Sequence, residues 1–339
     1  MSESFEIRPF EQCIDKVKYT TKIASQDFKE SGRYPIISQE EAFISGYWDL
    51  PEDVFHISKP IVVFGDHSRH LKYIDFDFVI GADGVKILSP VDDINAKYLY
   101  YYLRWLDIPS LGYSRHFKAL KEKTVKVFPL DVQQRIVSEL DLLTGIIDKK
   151  NDQLRDLDAL ALAVYHEMFD GHEEWQKGTI KDVYSFQYGK GNNIPEDKGN
   201  YPCYGSNGIV GHHIAYNSEN APVIGHIGAY AGIVNWASGK HYVTYNGVIC
   251  KINEGYDPIY GLYLLKAQDY LNAARRGGAQ PFVSYDMLYE PCIFIPPYHL
   301  QNVFANRVAV IDKEKKAISS SLIDLNQLLS SRMDHYFND

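Results

Sequence analysis

The chain has 339 residues, with 35 basic and 44 acidic side chains and a formal net charge of -9. This balance disfavours a polybasic nucleic-acid coat protein, and the 45% apolar content excludes disorder of the whole chain. The length suffices for about two domains of roughly 100–200 residues each. No stretch reaches the ~18 apolar residues of a membrane span, so we expect a cytoplasmic protein that does not contact membranes.

The segment 1–130 is predicted to form a β-rich globule that contains one amphipathic helix. Short β-type runs at 60–64 and 78–80 are separated by Gly, Asn and Asp turns, and the helix is expected at roughly 95–106. An apolar strand at 125–128 then leads to Pro129, a favourable residue near the start of a long helix.

The same order occurs a second time in the other half of the chain. Pro129-Leu130-Asp131-Val132-Gln133 is matched by Pro297-Tyr298-His299-Leu300-Gln301, and core-type positions then follow at spacings that alternate between 4 and 3. This alternation keeps one seam of a helix against a partner helix, so we predict two helices of roughly 35–38 residues that pair as a coiled coil. The positions assigned to the coiled coil and to partner docking are Ile136, Leu140, Leu143, Leu154, Leu157, Phe304, Val308, Ile311, Leu322 and Leu325.

The globules that precede the two helices correspond more loosely. Arg33-Tyr34-Pro35 resembles Asn200-Tyr201-Pro202, and Asp83-Gly84-Val85 resembles Asn246-Gly247-Val248, but the offset between the copies drifts along the chain. An α+β fold with an internal repeat is therefore expected. Its parts are a globule at 1–130, a helix at 131–171, a second globule at 172–297 and a second helix at 298–339.

Metal, disulfide and catalytic chemistry are not indicated by the motifs. The cysteines Cys13, Cys203, Cys250 and Cys292 form no C-x-x-C pair, and free thiols are expected. The histidines considered as zinc ligands are His212, His213, His226 and His241, which have no acidic or Cys partner at ligand spacing. Ile295-Pro296-Pro297-Tyr298 lacks the Asp or Asn that an adenine methyltransferase needs, and Pro195-Glu196-Asp197-Lys198 has the composition of a turn rather than of a nuclease site.

The two-copy arrangement resembles the specificity subunit of type I restriction-modification enzymes. An apolar strand ending in Pro, then x-x-x-Q and a heptad helix, occurs twice, each time after a β-rich region with Tyr-Pro near its start. The segment 128–137 is similar to the entry into that family's central helix, and the segment 175–183 to the start of a recognition domain. The first globule departs from this pattern, because Ile7 stands where the repeat would place Trp175.

The resemblance implies both a fold and a function. The globules would be two target recognition domains, and the helices would form an antiparallel coiled coil with pseudo-two-fold symmetry. Each domain would read one half of a bipartite site on double-stranded DNA, while the helices dock methyltransferase subunits, two in number, in a complex that also contains restriction subunits. The chain would be non-catalytic and without a cofactor, and S-adenosylmethionine, ATP and Mg²⁺ would act in the partner subunits.

Contact with DNA needs cations for phosphates, and Arg, Lys, Asn or Gln side chains for base edges. The densest basic run lies between Arg115 and Lys126, and the segment 275–280 follows the helix of the second globule. Solvated loops are the alternative interpretation of both segments. The candidate DNA-binding residues are Arg69, Arg115, Lys118, Lys121, Lys123, Asn207, Arg275, Arg276 and Gln280.

Two other functions remain open at this point. A type IIB-like enzyme, in which one partner both cuts and methylates, would use a similar specificity subunit. A protein-binding adaptor would use the heptads for assembly and the globules for protein partners, and the acidic balance favours it. The segment 131–170 carries nine acidic and four basic residues, so it is better suited to face partner subunits than the duplex.

Overall fold

A computed structural model describes residues 4–106, 108–109, 112, 114–191, 199–276 and 280–338. The chain forms two compact units. Unit 1 contains the residues up to Lys150 together with those from Ser320 onward, and unit 2 contains Asn151–Ser319. Each unit holds one β-rich globule, which we call head 1 in unit 1 and head 2 in unit 2, and parts of two long helices.

Head 1 combines short strands with two short helices. Its strands are β1 (Glu6–Pro9), β2 (Ile14–Asp15), β3 (Lys22–Ile23), β4 (Tyr34–Ile37), β5 (Gly46–Trp48), β6 (Val54–Phe55), β7 (Ile61–Gly65), β8 (Leu71–Ile74), β9 (Phe78–Gly81), β10 (Val85–Pro90) and β11 (Thr124–Val127). Its helices are α1 (Ala96–Trp105) and α2 (Phe117–Lys121), and the long helix α3 (Leu130–Phe169) follows.

Head 2 has a similar order of elements. Its strands are β12 (Gln176–Thr179), β13 (Tyr184–Tyr188), β14 (Tyr201–Gly205), β15 (Gly208–His213), β16 (Ser218–Gly225), β17 (Val234–Val243), β18 (Gly247–Ile252) and β19 (Cys292–Ile295). Its helices are α4 (Ile180–Val183), α5 (Pro258–Ala267), α6 (Tyr270–Arg275) and α7 (Tyr285–Tyr289), and the long helix α8 (Tyr298–Phe337) follows.

The two heads share one sheet plan. The strand order β2-β10-β7-β8 in head 1 corresponds to β13-β18-β16-β17 in head 2. Each head adds a hairpin whose first strand begins at a Tyr-Pro pair: β4 pairs in parallel with β9, and β14 pairs in parallel with the end of β17. The strand pairs β1–β11 and β12–β19 join the first and last strands of each head. The α+β class and the internal repeat are therefore confirmed.

The cores follow from the apolar runs in the sequence. Every residue of β7 is buried, because its Ile-Val-Val-Phe run is covered on both faces. Helices α1 and α5 pack beside the sheets and begin at N-caps, Asn95 and Asp257, whose side chains each accept two backbone N–H groups. Tyr98 and Tyr260 occupy the same position of these two helices and are both buried.

The long helices run antiparallel within each unit, as predicted. In unit 1, Glu139 of α3 contacts Tyr336 of α8, and Ile147 of α3 lines one groove together with Asn326 of α8. Residue numbers therefore increase along α3 while those of the neighbouring residues in α8 decrease. In unit 2, Asp158 pairs with Lys315 and the ring of Phe169 lies 5.4 Å from that of Phe304. Each helix has 40 residues, slightly more than expected, and is about 60 Å long.

The side chains assigned to the coiled coil are covered by the chain itself. The buried ones are Ile136, Leu140, Phe304 and Val308. The half-buried ones are Leu143, Leu154, Leu157, Ile311, Leu322 and Leu325. The four buried positions are therefore not available for the predicted docking of a partner, whereas the half-buried ones keep part of their surface exposed.

A buried glutamine joins each long helix to a head. The side-chain oxygen of Gln133 accepts the backbone N–H of Asn95 at 2.8 Å, and its amide donates to the carbonyl of Phe128 at 2.7 Å. Gln301 accepts from the N–H of Asp257 at 2.9 Å and donates to the carbonyl of Pro296 at 3.0 Å. The repeated Pro-x-x-x-Gln motif is thus a joint between the helix and the head.

Candidate nucleic-acid interface

In head 1, buried Asp66 brings three loops together just after β7. Its backbone N–H donates to the carbonyl of Gly84 at 2.7 Å, and its carbonyl accepts the N–H of His116 at 2.8 Å. Its carboxylate accepts the N–H of Phe117 at 2.8 Å and lies 3.5 Å from the amine of Lys86. A buried carboxylate is costly unless it is hydrogen-bonded or paired with a cation, so these contacts hold the surrounding loops in place.

The β4–β5 hairpin loop reaches the same place through Gln39. The side-chain oxygen of Gln39 accepts the N–H of His67 at 3.1 Å, and its carbonyl accepts the hydroxyl of Ser68. A Cβ on Gly84 would lie 2.3 Å from the Gln39 side chain, and its φ of +84° also favours glycine. We call this set loop cluster 1; its residues are Gln39 and those at 66–70, 82–84 and 114–117.

A buried lysine supports the same hairpin loop. The Lys72 amine donates to the carbonyl of Phe43 at 3.3 Å and to that of Ala42. Burial lowers the pKa of Lys72 to about 8, because the charged amine is poorly solvated there. The loop therefore keeps its exposed residues, Phe43 and Ile44, in a defined position next to β8.

Head 2 repeats this arrangement around His226, which follows β16. The N–H of His226 donates to the carbonyl of Asn246 at 2.8 Å, and its carbonyl accepts the N–H of Val283 at 2.9 Å. A Cβ on Gly225 would lie 2.7 Å from the carbonyl of Ser206, so the tip of the β14–β15 hairpin is adjacent. We call this set loop cluster 2; its residues are those at 205–208, 225–230, 245–247 and 281–283.

Aromatic rings support loop cluster 2. The ring of Tyr188 stacks between those of Tyr285, at 4.1 Å, and His226, at 4.2 Å. Tyr230 and Tyr245 are exposed beside this stack. Such a surface offers hydrogen-bonding groups and flat apolar faces to a ligand.

The basic run of head 1 does not form one surface. Arg115 and Lys118 are exposed in and next to loop cluster 1, and neither forms an ion pair with another described residue. Lys121 pairs with Glu11 at 2.8 Å, and the carbonyl of Lys123 accepts the N–H of Phe10. Lys126 is buried in β11, where its amine donates to the carbonyl of Asn338 at 2.9 Å, so it supports the end of α8.

The other candidates also lie near the loop clusters. Arg69 belongs to loop cluster 1, has a φ of +64° and donates to the carbonyl of Ile108 at 2.7 Å. Asn207 is exposed at the tip of the β14–β15 hairpin. Arg275 and Arg276 are exposed at the end of α6, next to Ala274, whose carbonyl accepts the N–H of Phe282. Gln280 is exposed just before loop cluster 2.

Among the described residues, the histidines considered as zinc ligands are not brought together at one metal site. His213 stacks on Tyr242 at 3.7 Å, and burial lowers the pKa of His241, whose ring bonds to the carbonyl of Gly239. The described part of the chain contains no group of three or more metal-ligating side chains. The string Pro195-Glu196-Asp197-Lys198 lies outside the described residues. No helix in the described ranges combines the length and apolar character of a membrane span.

Comparisons with known proteins agree with the two-head plan. The family described as Methylase_S, type I restriction modification DNA specificity domain, matches residues 5–156 and again 172–325. Over 104 residues the chain is 31% identical to the type I restriction enzyme EcoR124I/EcoR124II specificity subunit of Escherichia coli, covering 30% of this chain and 24% of that protein. Over 159 residues it is 29% identical to the type I restriction enzyme EcoprrI specificity subunit of Escherichia coli, covering 45% of this chain and 38% of that protein.

The matched stretches thus span well under half of these curated relatives. Among solved structures, the crystal structure of the type I restriction-modification system S subunit from M. genitalium has a TM-score of 0.54 and 17% identity. It covers 99% of this chain and 97% of that one, which supports the fold over its whole length.

Proposed function

Since the chain belongs to the type I restriction modification DNA specificity family, we propose that it is the DNA specificity subunit of a restriction-modification complex. Head 1 and head 2 would each read one half of a bipartite site on double-stranded DNA. The observation that carries this proposal is the double match of the family, one for each head. The two equivalent loop clusters support it, because each presents exposed side chains from loops that the core holds in place.

The chemistry would belong to partner subunits. Methyltransferase subunits would use S-adenosylmethionine to methylate adenines in the site, and restriction subunits would use ATP and Mg²⁺ for cleavage. This chain would contribute binding and orientation, with phosphate contacts from cations such as Arg115 and Arg276 and base contacts from side chains such as Asn207.

Two equivalent surfaces support docking of two copies of one partner. Exposed apolar side chains recur at equivalent positions of the two long helices: Leu130 with Tyr298, Leu142 with Val310, and Leu160 with Leu328. A single exposed apolar side chain is common on protein surfaces, whereas the recurrence of three of them at matched positions of the two helices favours a docking surface. Each unit carries one member of every pair, so each would bind one methyltransferase subunit.

Sequencing of methylated bases tests this function. Cells that express the chain with the methyltransferase subunit encoded beside it should carry methyladenine in a two-part sequence. Cells that express the methyltransferase subunit alone should lack it. A single uninterrupted palindrome, or methylation that does not depend on this chain, would contradict the proposal.

The type IIB-like alternative differs only in the partner. It predicts one adjacent subunit with both methyltransferase and nuclease motifs, and purification of the complex would distinguish one kind of partner from two. The adaptor alternative is disfavoured, because both heads match a DNA specificity domain.

A further inference from the structure

The tip of the β14–β15 hairpin exposes aliphatic side chains without charge. β15 is the last strand of the sheet order in head 2, and its Gly208 pairs with Gly205, which leaves a two-residue turn. Ile209 and Val210 follow the turn and are 57% and 40% exposed. The two strands and their turn contain no Asp, Glu, Lys or Arg, in a chain with 44 acidic side chains. The hairpin can therefore approach an anionic surface without charge repulsion.

A β-bulge explains why both aliphatic residues are exposed. Tyr204 pairs with Ile209, and Cys203 pairs with Gly211, so Val210 is the extra residue in β15. Neighbouring residues of a regular strand point to opposite faces, whereas a bulge re-aims a side chain. Ile209 and Val210 are thus both exposed near the tip, two and three residues beyond the exposed Asn207.

The hairpin is also placed to meet a duplex. Its tip belongs to loop cluster 2, and Lys190 lies nearby with an exposed side chain that forms no ion pair with another described residue. The carbonyl of Lys190 accepts the hydroxyl of Tyr242 at 2.9 Å, which places the backbone of Lys190 beside the strand that pairs with β14. A two-stranded ribbon fits the major groove of B-DNA, where the thymine methyl is the apolar group on display.

We propose that this hairpin reads an A·T pair in the half-site of head 2. Ile209, the more exposed of the two aliphatic side chains, would cover the thymine methyl group, and the Asn207 amide would bond to adenine N6 and N7. The inference rests on the proposed function and deepens it, because it assigns a base class to one head.

Replacement of thymine by deoxyuridine tests the methyl contact directly. The complex of the full chain with its methyltransferase subunit is titrated against duplexes that carry the recognised site, with thymines replaced in one half-site at a time. Loss of one buried methyl should weaken binding about fourfold in one half-site. In Ile209→Ala the thymine and deoxyuridine duplexes should bind almost equally there, and discrimination in the other half-site should persist.

Ile214→Ala is the matched control, since Ile214 is 74% exposed and lies beyond the hairpin strands. It should retain the thymine preference. Retention of that preference by Ile209→Ala, or a half-site without any A·T pair, overturns the inference while leaving bipartite recognition intact. Self-association that Ile209→Ala abolishes, with no methyl effect, would assign the surface to a second copy and also overturn it. Failure to recognise any bipartite site would overturn the proposed function as well.

Discussion

Asp66 and His226 hold the same place in the two heads although their side chains differ. Each donates its N–H to the loop before a central strand, and each accepts an N–H from the segment before a short helix. The Asp66 carboxylate adds a bond to Phe117, whereas the His226 ring bonds to the carbonyl of Tyr245 at 2.9 Å. The backbone frame is therefore repeated, while the side chains it presents vary. This division suits two heads that read different sequences.

The side chain of Gln133 should make a measurable contribution to the stability of the fold. Gln133→Ala would remove the partner of the Asn95 N–H and of the carbonyls of Asp93 and Phe128, and the bond to Phe128 is buried. The loss should cost about 1–3 kcal/mol of stability. Urea unfolding followed by circular dichroism measures this loss. The control is Gln134→Ala, because Gln134 is exposed and its side chain accepts one exposed hydrogen bond, from the Asn95 side-chain amide at 3.2 Å. Equal stabilities of the two variants would show that the buried bonds are not needed.

At the scale of elements, the end of α8 completes the core of head 1. The ring of Phe337 is buried and lies 5.6, 5.1 and 5.9 Å from those of Tyr98, Tyr102 and Trp105. Phe169, the equivalent residue of the first long helix, packs at the end of α3 against Tyr260 in head 2. The end of α8 thus completes head 1, although α3 is the helix that directly follows head 1. The end of α3 completes head 2, although α8 directly follows head 2.

Phe337→Ala should destabilise unit 1 by about 3–5 kcal/mol, since it leaves a cavity among aromatic rings. Hydrogen exchange should become faster in α1 while remaining unchanged in α5. Ile323→Ala is the control on the same helix, because Ile323 is 60% exposed. Unaltered protection of α1 in Phe337→Ala would count against this role.

The helix pair in unit 1 also contains a polar contact that depends on pH. Arg332 donates to Glu139 and holds the pKa of that carboxyl below its ordinary value of 4.5. A lowered carboxyl pKa stabilises the fold above pH 4.5, and this stabilisation is lost as the pH falls through the lowered pKa.

Glu139→Gln should therefore be less stable than the unchanged chain at neutral pH, and this deficit should shrink as the pH falls below 4.5. Both side chains are about one-third exposed, so solvent screening limits the deficit to about 0.5 kcal/mol. Thermal unfolding across this pH range measures it. Glu314→Gln serves as the control, because Glu314 is exposed and forms no ion pair with another described residue; a deficit of equal size there would exclude a specific contact.

The repeated exposed apolar pairs predict equal docking by the two units. Leu142→Glu and Val310→Glu should each reduce the bound methyltransferase subunits from two to one, because a charge would be buried in the docked surface. Native mass spectrometry counts the subunits directly. The Ile323→Glu variant should keep both. Loss of both subunits from one substitution, or of neither, would contradict two independent equivalent sites.

For the whole molecule, net charge limits binding to DNA. The -9 of the chain is concentrated in the segment 131–170, whereas the loop clusters hold few free cations. We expect weak binding by the chain alone, with a salt slope that reflects only about two or three phosphate contacts, at about 0.9 per contact.

The complex with methyltransferase subunits should bind more tightly and with a steeper slope, because the partners add phosphate contacts. Fluorescence anisotropy between about 50 and 200 mM salt on specific and random duplexes measures both slopes. Equal slopes for the chain and the complex would show that the partners contribute no phosphate contacts.

The sequence by itself determined the repeat, the two long helices and the position of their seam. These follow from local periodicity: a helix that alternates 4 and 3 must bury one stripe, such as the one that begins at Ile136, whatever surrounds it. The Tyr-Pro pairs likewise marked corresponding points of the two globules, because they begin β4 and β14.

Only the tertiary structure decided which polar residues meet. Lys126 belongs to a basic run in sequence, yet strand pairing turns it inward to the end of α8, far away along the chain. Asp66 and Gln133 carry no periodic signal, because their partners come from loops distant in sequence. The bulge at Val210 depends on the register with β14. Short-range sequence patterns determine where helices and strands form, whereas the candidate DNA-binding surfaces depend on contacts between loops that are distant in sequence.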